Sequence, residues 1–312
     1  MKAIQFRSFG GPEVLEYLDL PDPVPSEGEV LVKIIASGVN PSDWKIREGR
    51  FQSRMPNTLP IIPGWEFSGI VIGRGYSARE FEIGDEVFSF CRRPWIQTGS
   101  YAELISLPET YLARKPRSLT HEEAAGVPLA GMTSFQCLFQ AANCSRNDLV
   151  LILGASGGVG SFAIQLAKNA GANIVAVASG RNEQYLRTLG ADEFIDYSSI
   201  DFRSAFIESH PEGADLVLDF VGGETFAQGL ACIKPGGNIV SIIVNDFPSN
   251  GNFRTSYVFV EPNSKQLSEL ARWADLGKLK VHISEIFTLE NARLAQERIS
   301  QLHTRGKIIL KI

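Results

Sequence analysis

The segment LVLILGASGGVGS, residues 149–161, narrows what this chain can fold into more than any other. Five apolar residues run directly into a glycine-rich turn, and the helix-like VGSFAIQLAKNAG follows. A buried strand, a tight turn and a helix in that order predict the opening unit of a parallel sheet. The text beyond keeps the same alternation, through NIVAVAS, NEQYLRTLGA, EFIDY, ADLVLDFVGG, GGNIVSIIV and SYVFVE. Strands alternating with helices across short glycine turns predict a doubly wound α/β domain.

Residues 155–160 read A-S-G-G-V-G, a G-x-G-x-x-G pattern whose first position holds Ala155. Ser156, Gly157, Gly158 and Val159 complete the turn. Gly157 would let the backbone approach a pyrophosphate, and Gly160 would permit close helix–strand packing. The helix that begins here offers free N–H groups and a positive dipole end to phosphates. A glycine turn can also merely join a strand to a helix, but the flanking strand and helix favour a dinucleotide site. The next clue is a missing acid. Sites that prefer NAD place a carboxylate roughly 20 residues on, against the ribose 2′-hydroxyl. Here that region holds Ser179 and Arg181. A hydroxyl with a guanidinium suits a 2′-phosphate, so the expected cofactor is NADP. Arg181 also reads as a solvated arginine at a helix start.

Residues 1–120 have a different texture, with short strand-like runs such as EVLVKIIASGV and FSGIVIGRG broken by Gly and Pro. They predict a compact, mostly β domain. The tail VHISEIFTLENARLAQERISQLHTRGKIILKI gives a strand, a helix and a final strand, read as returning to that first domain. At 312 residues two domains are expected. The boundaries read as 1–123 with 263–312, around 124–262. A net charge of −5 argues against a nucleic-acid surface. No apolar run approaches the ~20 residues of a membrane span. The N-terminus lacks the apolar core of a signal peptide, so the protein reads as cytoplasmic. Its four cysteines show no ligand spacing and read as reduced thiols.

Several stretches together resemble the zinc-free quinone oxidoreductase branch of the medium-chain dehydrogenase/reductase superfamily, the ζ-crystallin-like branch. They are GPEVLE (11–16), SGVNPSDWKIREG (37–49), PIIPGWEFSGIV (60–71), FEIGDEVF (81–88), PLAGMTSF (128–135), GASGGVGS (154–161), LGADEFIDY (189–197) and RGKIIL (305–310). The resemblance implies a GroES-like catalytic domain built from both chain ends, with a Rossmann domain between. It places Asn40 and Trp65 where the zinc-dependent alcohol dehydrogenases carry their first two zinc ligands. PLAGMTS has no cysteine for the third, and the four-cysteine structural-zinc loop is missing. Asp43 and Glu66 remain, but oxygen ligands alone make a poor zinc site, so no metal is expected.

The resemblance also implies contacts. Asn40 and Thr133 would lie near the nicotinamide and its ribose, and Ser179, Arg181 and Tyr197 around the adenosine 2′-phosphate. Phe220, Gly222, Ile242 and Val244 would line the nicotinamide side, and Lys307 would reach toward the cofactor. Tyr197 also reads as packing, Lys307 as a strand-edge lysine, and Asn40 as a turn residue before Pro41. Asn40, Trp44 and Lys45 are the candidates to stabilise a developing oxyanion. Without zinc, readily reduced acceptors are favoured: a quinone first, then an enone or enoyl thioester. A non-catalytic NADPH-binding sensor stays open on the same fold. The strand SYVFVE reads as a sheet edge, and the resemblance implies a homodimer joined there.

Overall fold

The computed structural model describes residues 1–248 and 252–312, in two compact units. One comprises Met1–Met132, Glu261–Gly277 and Val281–Ile312; the other comprises Thr133–Val260 and Lys278–Lys280. The first junction thus lies at Met132 rather than at 123. The short helix His121–Ala125 and the start of helix Pro128–Phe135 belong to the first unit, where the Leu129 N–H donates to Glu66 Oε2 at 2.7 Å.

The first unit is organised by the long strand Glu29–Val39. It pairs antiparallel with Glu66–Arg74 and Leu104–Pro108, and its far end pairs with Lys307–Lys311. Burial alternates as far as Ile34, the period of a half-buried strand, with Val30, Val32 and Ile34 facing Phe67, Val71 and Val87. From Ala36 to Val39 both faces are buried. Ile308 stands opposite Val39 and Phe67 opposite Ser37. That register brings Lys307, Asn40 and Glu66 together from three separate chain segments.

The second unit holds a six-stranded sheet, parallel throughout. Its spatial order is Glu193–Asp196, Asn173–Ala178, Leu149–Leu153, Ala214–Asp219, Ile233–Ser241 and Arg254–Tyr257. Numbered along the chain this is 3-2-1-4-5-6, the Rossmann order, which reverses beside Leu149–Leu153. Leu149–Leu153 and Asn173–Ala178 are buried on both faces after their first residues, as parallel strands under helices require. The edge strand ends at Tyr257, so only the beginning of SYVFVE is strand.

Candidate active site

At the glycine turn the left-handed residue is Gly154, with φ +78°, one position before the motif. Ala155 needs no positive φ and is fully buried, its N–H donating to Val177 O at 3.2 Å. That is why an alanine is accepted at the motif's first position. Helix Gly158–Ala170 starts immediately after its cap, Gly157. A Cβ on Gly160 would stand 2.5 Å from Gly154 O and 2.6 Å from Ala155 Cα, so only glycine fits. A Cβ on Gly157 would meet nothing closer than Gly154 O at 3.5 Å. Gly160 therefore serves the packing, while Gly157 leaves open room for a ligand.

The ends of the neighbouring strands are tied by two side chains that motif reading missed. Asp219 is fully buried; Oδ1 accepts from the N–H groups of Val221 (3.1 Å) and Gly222 (2.8 Å), and Oδ2 from Ser241 Oγ at 2.6 Å. Ser241 Oγ accepts in turn from the N–H groups of Ile243 and Val244. Phe220, Gly222, Ile242 and Val244 thus lie on two turns braced against each other. Gly222 has φ +80°, and a Cβ there would press on Ile243.

Ser179 and Arg181 follow the strand Asn173–Ala178 directly. Ser179 Oγ accepts from Asn182 Nδ2 at 3.0 Å, and Arg181 is exposed. An acid does reach this turn, from the adjacent strand. Asp196 accepts from the Gly180 N–H at 2.9 Å and from the hydroxyls of Ser198 and Ser199. The two serine hydroxyls, with backbone N–H groups, hold its carboxyl at about 2. Its oxygens brace the turn. Tyr197, beside it, is half exposed.

The first unit contains a buried polar cluster. Lys307 Nζ donates to Asn40 Oδ1 at 2.6 Å and to Glu66 Oε1 at 2.7 Å, with both charged side chains almost fully buried. Asn40 Nδ2 donates to the same Glu66 oxygen at 2.7 Å. Asp43 Oδ2 accepts from the Asn40 N–H at 2.8 Å and from Tyr101 OH at 2.9 Å. Burial pushes the Asp43 carboxyl up to about 7, against the pull of the Asn40 and Tyr101 hydrogen bonds. Gly38 makes room for this cluster, since a Cβ there would collide with the Glu66 carboxylate. Lys307 is therefore not a strand-edge lysine: its strand is paired on both sides and its side chain is buried. Asn40, likewise, is more than a turn residue: its amide is oriented by a cation on one end and a carboxylate on the other.

The chain resembles known proteins along its whole length. Residues 26–117 match the alcohol dehydrogenase GroES-like domain, and residues 189–310 match the zinc-binding dehydrogenase family. A chloroplastic quinone-oxidoreductase homolog from Spinacia oleracea is 34% identical over 100% of this chain and 98% of its own. A 2-methylene-furan-3-one reductase from Solanum lycopersicum is 35% identical over 90% of this chain and 70% of its own. The crystal structure of Escherichia coli quinone oxidoreductase complexed with NADPH superposes with a TM-score of 0.90, at 26% identity, over 100% of both chains. The chain belongs to the quinone oxidoreductase branch of the medium-chain dehydrogenase/reductase superfamily.

As a medium-chain reductase it is an oxidoreductase with a GroES-like and a Rossmann unit. Among the described residues no three His, Cys, Asp or Glu side chains gather as a metal site. No helix among them is long and apolar enough to cross a membrane. Thr133 is buried in helix Pro128–Phe135. Trp44 is a core residue, packed with Val39, Tyr101 and Ile308, yet its buried Nε1 has no hydrogen-bond partner. Lys45 is half buried beside that ring, its Nζ 5.6 Å from the ring centroid. Cys91, Cys137 and Cys232 are buried, Cys144 is partly exposed, and burial pushes Cys91 up to about 12.

Proposed function

We propose that this reductase uses NADPH, works without zinc, and transfers hydride to a quinone. The observation that carries this reading is the Lys307–Glu66–Asn40 cluster. Where the resemblance places zinc ligands, the chain has the amide of Asn40 and the indole of Trp65. The nearest carboxylate, Glu66, already holds an ammonium on one oxygen and the Leu129 N–H on the other. These residues do not fit a zinc ion, which needs thiolate, imidazole or carboxylate groups free to converge on it.

The residues of the sheet unit do fit a dinucleotide. Gly157 and the N–H groups opening helix Gly158–Ala170 would hold its pyrophosphate, and Ser179 with Arg181 the 2′-phosphate. Thr133, Phe220, Gly222, Ile242 and Val244 would hold the nicotinamide end, and Tyr197 the adenosine. Such a cofactor supplies the hydride; the protein orients the acceptor and stabilises the charge that develops. Asn40 caps the short helix Pro41–Arg47, and Trp44 lies within it. With Lys45 they supply N–H donors for the acceptor's oxyanion. No group here substitutes for a metal in lowering an alcohol's pKa, so alcohol oxidation is disfavoured. The tomato relative, named for a methylene-furanone, favours a second reading in which the acceptor is an enone. An enoyl thioester would make the same electronic demand. The edge strand Arg254–Tyr257 supports pairing of two copies into a homodimer, and the reading places the protein in the cytoplasm.

Steady-state rates with NADPH and NADH across a quinone, an enone, an enoyl thioester and ethanol test this. The expected result is fast NADPH-dependent reduction of the quinone, slower reduction of the enone, and no ethanol oxidation. Robust NADP-dependent ethanol oxidation without quinone turnover would overturn it.

A further inference from the structure

The stretch 45–54, KIREGRFQSR, carries four cations, Lys45, Arg47, Arg50 and Arg54, and a single acid, Glu48. Glu48 is already shared: Arg50 Nη2 lies 2.7 Å from Oε2 and Arg47 Nη2 3.4 Å from Oε1. Among the described residues no carboxylate comes within ion-pair distance of the Lys45 ammonium, which is half buried all the same. Lys45 and Arg50 crowd one corner over the Trp44 ring; burial lowers the proton affinity of Lys45, and the charges of Arg50 and Arg54 lower it further. A net charge of −5 makes such a local excess of positive charge the more pointed. A half-buried cation held beside two others, with no counter-charge, is costly unless an anion completes the site.

Aromatic rings form the floor of this corner. Arg50 Cζ lies 4.7 Å and Lys45 Nζ 5.6 Å from the centroid of Trp44, whose Nε1 donor is buried and unpartnered. Arg54 Cζ lies 5.9 Å from the Phe51 ring, which meets Trp65 edge-on at 5.6 Å. Trp65 adjoins Glu66, and Lys45 lies in the helix Pro41–Arg47 that Asn40 caps, so the corner borders the polar cluster within one unit. We infer that Lys45, with Arg50 and Arg54, binds a carboxylate or phosphate carried by the acceptor, so that the substrate is an anionic conjugated carbonyl compound. This deepens the reductase reading and rests on it for the word substrate, but the anion site stands on its own residues.

Equilibrium binding separates the two. The full-length protein is titrated at low salt with 2-naphthoate, 2-naphthyl phosphate and the neutral 2-naphthylmethanol, by calorimetry and tryptophan fluorescence. At least one anion should bind about tenfold or more tightly than the alcohol, a preference that shrinks with added salt. Naphthoate alone would assign a carboxylate ligand, and naphthyl phosphate alone a phosphate. Lys45→Gln should abolish the preference, and Lys45→Arg, which keeps the charge, should retain it. Arg181→Ala should retain it too, since that residue belongs to the other unit. Equal binding of all three probes would overturn the inference. So would a preference that survives Lys45→Gln or disappears in Arg181→Ala. If no quinone or enone is turned over while the Lys45-dependent preference holds, the reductase reading fails and the anion site remains.

Discussion

The two halves of the chemistry are built in opposite ways. The sheet unit offers a ligand mainly backbone: the N–H groups after Gly157, a helix dipole, and turns pinned by Asp219, Ser241 and Asp196. The first unit offers side chains: an ammonium, two carboxylates, an amide and a phenol, all buried and interlocked. A backbone site tolerates substitution at its periphery but no added atom where chain passes chain, as at Gly160. A side-chain cluster is governed by charge balance, so removing one charged member leaves another buried without its counter-charge.

The sharpest way to break that contrast is Lys307→Met. It strands the Glu66 carboxylate in a buried site and should cost about 3–5 kcal/mol of stability. Glu66→Gln added to it should restore much of the loss. Urea denaturation of the single and double variants checks this, and additive losses would mean that the pair is not coupled. At the other site, Arg181→Ala should leave stability unchanged and weaken NADPH by roughly 10- to 100-fold, with NADH little affected. Equal losses for both cofactors would make Arg181 a scaffold residue. A smaller effect separates the two glycines. Gly160→Ala should destabilise the fold by about 1–3 kcal/mol through overpacking. Gly157→Ala, whose Cβ has room, should unfold where the parent does and lose cofactor affinity instead.

The same contrast explains how much was legible in advance. The glycine turn and the strand–helix alternation are local, so the Rossmann order could be expected from contiguous text. Ala155 at the motif's first position made sense only once Gly154 was seen to carry the left-handed backbone. Asp219 and Asp196 look like ordinary strand-end acids in the sequence; their work is bracing turns, which needs the neighbouring strand to be placed. The polar cluster was least legible. Lys307 and Asn40 are 267 residues apart, and only the pairing of Ile308 with Val39 makes them neighbours. Tyr101 carried no motif at all. Resemblance picked out Lys307 and Asn40, and the structure adds that they are bonded to each other and to Glu66.

A further effect concerns pH. Asp43 is held near 7 in the folded chain, against about 4 when unfolded. The folded state therefore binds the extra proton between those values, and stability falls as pH rises from about 4 to about 7. Asp43→Asn keeps an acceptor for the Asn40 N–H and for Tyr101, and should flatten that slope. An unchanged slope in urea midpoints against pH would place the titration elsewhere.

On this reading an ammonium, not a metal ion, is the cation at the heart of the first unit. Elemental analysis of the purified protein, with quinone reduction assayed before and after exhaustive chelation, tests it most directly. The expected result is no stoichiometric zinc and an undiminished rate. One zinc per chain, with activity lost on chelation and regained on adding the metal, would contradict it.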